Sequence, residues 1–157
     1  MYLKVINGNL LDATEDFIAH QCNCSSTNAK TLAEQIFKKY NYSDSYKKRV
    51  KNNKMTYDVP GTIEIFGNGH ENRYIINMYA QYYPSTGKYS NDNDIKRLEW
   101  FKECLTKISN IDDIQNKTIA MPFNIGCGAG GGDWILYYNL LNEFANNNKI
   151  NVVLYKL

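Results

Sequence analysis

Two stretches of this 157-residue chain put chemically useful residues where short apolar runs end. The first is Ile18 to Cys24, IAHQCNC, which carries a histidine and an asparagine inside an otherwise apolar run. A histidine near its reference pKa of about 6.5 gives or takes a proton at neutral pH, so His20 is a candidate acid or base. The second is Asn124 to Trp134, NIGCGAGGGDW, with Gly126, Gly128, Gly130, Gly131 and Gly132 followed by Asp133. Glycine permits positive φ and removes the Cβ that keeps a bulky anion from the backbone, so this run reads as a cradle for a phosphate or diphosphate. A carboxylate at its end can orient an attacking water, so Asp133 is a second titratable candidate.

Each of these residues also has a structural reading. His20 in an apolar strand is equally well a hydrogen-bonded core residue, and Asp133 before a helix is an N-cap. Cys127 lies between two glycines, but no base is assured beside it, and it reads as a small residue that fits a turn. The glycine run is neither a Walker loop, which needs Gly-Lys-Ser/Thr, nor a dinucleotide fingerprint.

The elements that must hold these stretches alternate along the chain. YLKVIN alternates and breaks at Asn7-Gly8-Asn9, which predicts a strand ending in a turn. DFIAHQCNC suits a strand buried on both faces, and TLAEQIFKKY predicts a helix with Leu32, Ile36 and Tyr40 on one stripe beside Ala33 and Phe37. The section from Tyr46 to Gly61 is polar and basic and predicts an irregular connection or short helix, its KKRVKNNK run mostly a solvated face. TIEIFGN and RYIINMYAQYY predict two strands around the turn-forming GNGHEN. The polar loop PSTGKYSNDND, a lid or an exposed connection preceded by Tyr82 and Tyr83 and containing Tyr89, leads into a helix through Ile95, Leu98, Phe101, Leu105 and Ile108. KTIAMPFN is a fifth strand, Trp134, Tyr138, Leu141 and Ala145 mark a third helix, and INVVLYKL closes the chain as a strand. Strands alternating with helices imply an α/β fold with a mostly parallel sheet covered on both faces. Ligands of such sheets bind at the carboxyl ends of the strands, which singles out the loops Cys24 to Lys30 and Asn124 to Asp133. Both run from a buried strand into a helix N-terminus, where free N–H groups and the helix dipole favour anions.

Composition bounds the partners. Hydrophobic residues at 43% and charged residues at 22% describe one ordinary globular domain over residues 1–157, without repeat or linker. A net charge of +2 is too small to imply a nucleic-acid surface, so any anion site is local. No stretch approaches the roughly 20 apolar residues of a membrane helix, and no signal-peptide pattern opens the chain, so a cytosolic location is expected. The cysteines Cys22, Cys24, Cys104 and Cys127 match no zinc spacing and are expected to be free thiols, and nothing calls for a metal or cofactor.

KVINGNLLD, IAHQCNC, IAMPFNIGCGAGGGDW and the terminal NVVLYKL together resemble the macrodomains, which bind ADP-ribose, in order and spacing over essentially the whole chain. The resemblance is to the small members that act as ADP-ribose 1″-phosphate phosphatases and to related hydrolases that remove ADP-ribose from acidic side chains. It implies a three-layer α/β/α fold with a mixed, mostly parallel sheet. Carried over by position, it implies Asn9 near the adenine amino group, backbone contacts from Leu10, and Tyr155 packed on the adenine. It further implies that Asn23 binds the distal ribose and that Gly126, Cys127, Gly128, Ala129, Gly130 and Gly131 wrap the diphosphate. His20 and Asp133 would then assist water in removing a 1″-phosphate, or in releasing ADP-ribose from a protein or nucleic acid, and the protein would act as a monomer. A non-catalytic ADP-ribose reader or scavenger is the alternative, and a nucleic-acid-binding module using the basic middle segment is a third. Two departures stand out. The first loop reads SSTNAKTLA where relatives have glycines, with Lys30 as an available cation. Gly130 occupies the position of the hydrolases' catalytic aspartate, and their nucleophilic lysine has no match, Lys88 lying in an unaligned loop.

Overall fold

A computed structural model describes residues 1–157, the side chain of Lys51 excepted. Its central six-stranded sheet comprises β1 (Leu3–Asn7), β2 (Phe17–Asn23), β3 (Thr62–Phe66), β4 (Tyr74–Gln81), β5 (Thr118–Pro122) and β6 (Asn151–Lys156). Their order across the sheet is β1-β6-β5-β2-β4-β3. All neighbours are parallel except the edge strand β3, which runs antiparallel to β4. The helices α1 (Thr31–Lys39), α2 (Asp94–Ser109) and α3 (Trp134–Asn148) complete a three-layer α/β/α arrangement.

Strand alternation sorts the core into two halves. Ile18, Cys22, Ile75 and Tyr79 face α1 and meet its Ile36 and Phe37. Phe17, Ala19, Ile76 and Met78 face the opposite way and pack with Phe101, Leu105 and Ile108 of α2 and with Leu141 and Phe144 of α3. The central strands β2 and β4 are covered on both sides, which is why they read as nearly continuous apolar runs.

Several local expectations change. On α3 the buried face is Tyr137, Leu141, Phe144 and Ala145, so Trp134 and Tyr138 lie on its half-buried flank. Trp134 rests there on Phe123, with ring centroids 4.8 Å apart. Ile95 sits in the first turn of α2 and is 74% exposed, so the inward stripe starts at the half-buried Leu98. The middle section forms short 3-10 turns at Asn41–Ser43 and Tyr46–Arg49, then a two-residue ladder of Val50–Lys51 with Lys54–Met55. Its KKRVKNNK run is mostly exposed, as expected, with Arg49, only 2% exposed, as the exception. The loop before α2 is likewise anchored, by a ladder of Lys88–Tyr89 with Asp92–Asn93 and by the buried Asp92.

Candidate functional site

The neighbouring strands β5 and β2 send their connections to opposite faces of the sheet, β2 to α1 and β5 to α3. Loops that part in this way leave a crevice at the strands' carboxyl ends. A cleft of about 830 Å³ lies there, between Ser25 to Ala33 on one side and Pro122 to Gly130 on the other. His20, Gln21, Asn23, Tyr46 and Gln81 line its floor, and Pro84 and Ser85 form part of the rim. Among the described residues no aspartate or glutamate lines this cleft, and Lys30 is its one permanently charged side chain. An anionic ligand therefore meets no like charge on its walls.

A bulge places Asn23. Cys22 pairs with Tyr79 but Asn23 pairs with Gln81, so the register slips at the last residue of β2 and turns its side chain toward the cleft. Asn23 Oδ1 accepts from the backbone N–H of Ser25 at 3.2 Å and of Ser26 at 2.9 Å, which bends the chain into the first loop. A third donor, Arg49 Nη1, reaches the same oxygen at 3.3 Å. The loop ends at Thr31, whose φ of 55° is a left-handed conformation that a β-branched residue rarely adopts. No side chain caps the N-terminus of α1, and Lys30, Thr31, Leu32 and Ala33 at that end all line the cleft.

In the second loop the glycines serve different needs. Gly126 has φ 78°, and a Cβ there would come within 2.5 Å of the Tyr137 ring, so only glycine permits the turn over α3. At Gly128 a Cβ would meet no atom closer than Asn124 Nδ2 at 4.0 Å, which leaves open space on the cleft side. Three of the loop's carbonyls close on internal donors: Asn124 O accepts from Cys127 N–H, Gly126 O from Gly132 N–H, and Gly128 O from Gly131 N–H. The N–H groups of Gly126, Gly128, Ala129 and Gly130 have no acceptor among the described residues, and all four residues line the cleft.

His20 is 1% exposed, with its ring edge against Phe37 and Nε2 2.8 Å from Asn77 Oδ1. Asn77 Nδ2 donates to Ser43 O at 2.9 Å, so Oδ1 must face the imidazole and Nε2 carries the proton. Burial lowers the His20 pKa to about 4, against a smaller opposing effect of the Asn77 bond, so the ring is neutral at pH 7. Asp133 lies exposed at the N-terminus of α3, where its carboxylate accepts from Ile135 N–H at 3.0 Å, and it does not line the cleft. The two residues expected to share a water are thus not brought together: one is a neutral ring in the floor and the other caps a helix.

Of the remaining expected ligand contacts, Asn23, Gly126, Gly128, Ala129 and Gly130 line the cleft, whereas Cys127 and Gly131 do not. The Cys127 thiol is pushed up to about 12, by burial first and by the charge of Asp133 second, so it stays protonated and poorly nucleophilic. A Cβ at Gly131 would meet the Thr86 side chain at 2.8 Å, consistent with its position behind the loop. Asn9, Leu10 and Tyr155 also lie outside the lining, at the ends of β1 and β6, which continue the sheet beyond β5. Asn9 Oδ1 accepts from Leu11 N–H at 3.0 Å, Leu10 is buried, and the Tyr155 hydroxyl donates to Glu15 Oε1 at 2.6 Å. A Cβ on Gly8 would approach the Tyr155 ring at 3.4 Å, so the ring stands against that turn.

The residues that brace the cleft are ones sequence reasoning passed over. Arg49 pairs with Asp58 at 2.8 Å and donates to the carbonyls of Asn23 at 2.6 Å and Ser26 at 2.7 Å. Arg97 pairs with Asp92 at 2.6 Å and donates to the carbonyls of Ser85 at 2.7 Å, Tyr83 at 3.1 Å and Gly130 at 3.2 Å. Nothing local in the sequence separates these arginines from surface cations, because their acceptors come from distant segments.

No family model matches the sequence, and neither does any curated protein. Solved structures do. A protein of unknown function from Bacteroides thetaiotaomicron superposes with a TM-score of 0.77 at 22% identity, over 100% of this chain and 99% of that one. The macrodomain of Mycobacterium tuberculosis DarG gives 0.73 at 21% identity, over 99% of this chain and 97% of that one. Thermosipho africanus DarTG in complex with ADP-ribose gives 0.67 at 14% identity, over 98% of this chain and 41% of that one. The architecture is that of the macrodomain fold.

Proposed function

We propose that this macrodomain-fold chain binds ADP-ribose, free or attached to a protein or nucleic acid. The observation that carries the reading is the cleft without carboxylates, faced by four unpaired loop N–H groups on one side and by the uncapped start of α1 with Lys30 on the other. Oriented N–H groups and a helix N-terminus are the groups that hold a diphosphate. The second loop takes the diphosphate in this reading, Asn23 the distal ribose, and the turn of Asn9 and Leu10 with Tyr155 the adenine. The ADP-ribose held by the T. africanus structure supports the same ligand.

The geometry favours recognition over protein-driven acid–base hydrolysis. A neutral His20 with a pKa of about 4, and an Asp133 outside the cleft, supply no matched acid and base. We therefore propose a reader or scavenger of ADP-ribosyl groups. Removal of a 1″-phosphate or cleavage of an ADP-ribosyl linkage is the competing reading, and product analysis on both substrate classes separates the two.

Calorimetric titration with ADP-ribose, on wild type and on Gly128→Glu, tests the proposal. The open space at Gly128 lets the glutamate fold without a clash and places its charge in the diphosphate cradle. Wild type is expected to bind and the folded variant to lose binding. A folded wild type that ignores ADP-ribose, or a variant that still binds it, overturns the reading.

A further inference from the structure

We infer that the two buried arginines, Arg49 and Arg97, are positioning residues that set the polarity of the cleft walls, engaging loop acceptors so that donors are left for the ligand. The inference rests on the ADP-ribose reading above. Neither arginine lines the cleft, and each is neutralised by its own carboxylate, Asp58 at 2.8 Å or Asp92 at 2.6 Å. They therefore act through what they hold and not as cations on the ligand.

Arg49 fixes the Asn23 amide. With Ser25 N–H, Ser26 N–H and Arg49 Nη1 all on Oδ1, the oxygen end is fully engaged, and a flip would set Nδ2 against three donors. The Nδ2–H₂ end is the one left for the cleft, so Asn23 donates to a ligand oxygen. The same guanidinium holds Ser26 O, and because carbonyl and following N–H point oppositely across a trans peptide, the N–H of Thr27, a cleft residue, is turned the other way.

Arg97 completes the second wall. Three alternate carbonyls, those of Asn124, Gly126 and Gly128, accept from N–H groups within the loop, and the fourth, Gly130 O, accepts from Arg97. With those four acceptors engaged, the N–H groups of Gly126, Gly128, Ala129 and Gly130 are left without an acceptor among the described residues, beside the cleft that their residues line. Arg97 also holds Tyr83 O and Ser85 O, which ties the rim to the same wall. The two walls so built suit a ligand with acceptors on its diphosphate and ribose, while Gln21 Oε1, buried in the floor without a donor among the described residues, is left for a ligand hydroxyl.

The test is a comparison of ADP with ADP-ribose, by calorimetry, on variants whose melting temperatures are recorded. Arg97→Lys keeps the charge but loses the fork, and is expected to weaken ADP and ADP-ribose by the same factor of about tenfold or more. Arg49→Lys acts on Asn23, and is expected to weaken ADP-ribose by a similar factor while ADP changes less than about twofold. Asn23→Asp keeps the acceptor contacts of the loop and replaces the donor by a carboxylate oxygen, so even if the arginine variants fold poorly it should weaken ADP-ribose, which meets that oxygen directly, by a larger factor than ADP, which feels only its added charge. A merely structural role moves both ligands together in every variant; that result, or Asn23→Asp binding ADP-ribose like wild type, overturns the inference. If folded wild type binds neither nucleotide, the ligand assignment fails, and inorganic pyrophosphate followed by amide NMR decides the polarity separately. Shifts at Gly126, Gly128, Ala129 and Gly130 that vanish in Arg97→Lys support it, and their absence in wild type overturns it.

Discussion

Burial removes His20 from the water an imidazolium needs, and Asn77 accepts its Nε2–H without supplying a charge. This has a measurable sign. The folded pKa, about 4, lies below the unfolded value of about 6.5, so the contribution is fully present above the unfolded value and is lost as pH falls toward the folded one. Urea unfolding of wild type should therefore lose about 3 kcal/mol more between neutral pH and pH ~4 than unfolding of His20→Gln. Equal losses in the two proteins would mean the ring is accessible to protons in the fold. At this scale the residue type was legible in IAHQCNC and its environment was not: both readings of His20 fit the sequence until Asn77, 57 residues away, was placed against it.

At the scale of elements, loops and caps matter more than strands. The strand and helix pattern was readable because β2 and β4 carry nearly continuous apolar runs and the helices carry apolar stripes. On α3 the expected Leu141 and Ala145 are buried, but Tyr137 and Phe144 join them while Trp134 and Tyr138 lie on the flank, because periodicity alone cannot choose between overlapping stripes. The bulge at Asn23 and the left-handed Thr31 also left no pattern, because each answers a neighbour's geometry. Asp133 gives the element its own test. As the N-cap of α3 its replacement by alanine should cost about 1 kcal/mol of stability and leave ADP-ribose affinity unchanged. Thermal melts and titration on Asp133→Ala check both halves, and a loss of affinity without a loss of stability would give the carboxylate a ligand role.

For the whole molecule, ligand and stability are one equilibrium. ADP-ribose at about a hundred times its Kd should raise unfolding free energy by about 2.7 kcal/mol if it binds only the folded chain. Unfolding curves with and without it would show the shift, and Gly128→Glu should show none. By itself the sequence determined the alternation of strands and helices, the two loops at the strand ends and the glycine-rich character of the second, because periodicity, turn residues and the missing Cβ are local properties that survive without a fold. Tertiary structure alone decided that His20 is neutral, that Asp133 caps a helix, and that Arg49 and Arg97 brace the two walls. The reason is physical: a pKa depends on who excludes water from the group, and an arginine's role depends on which distant carbonyls reach it.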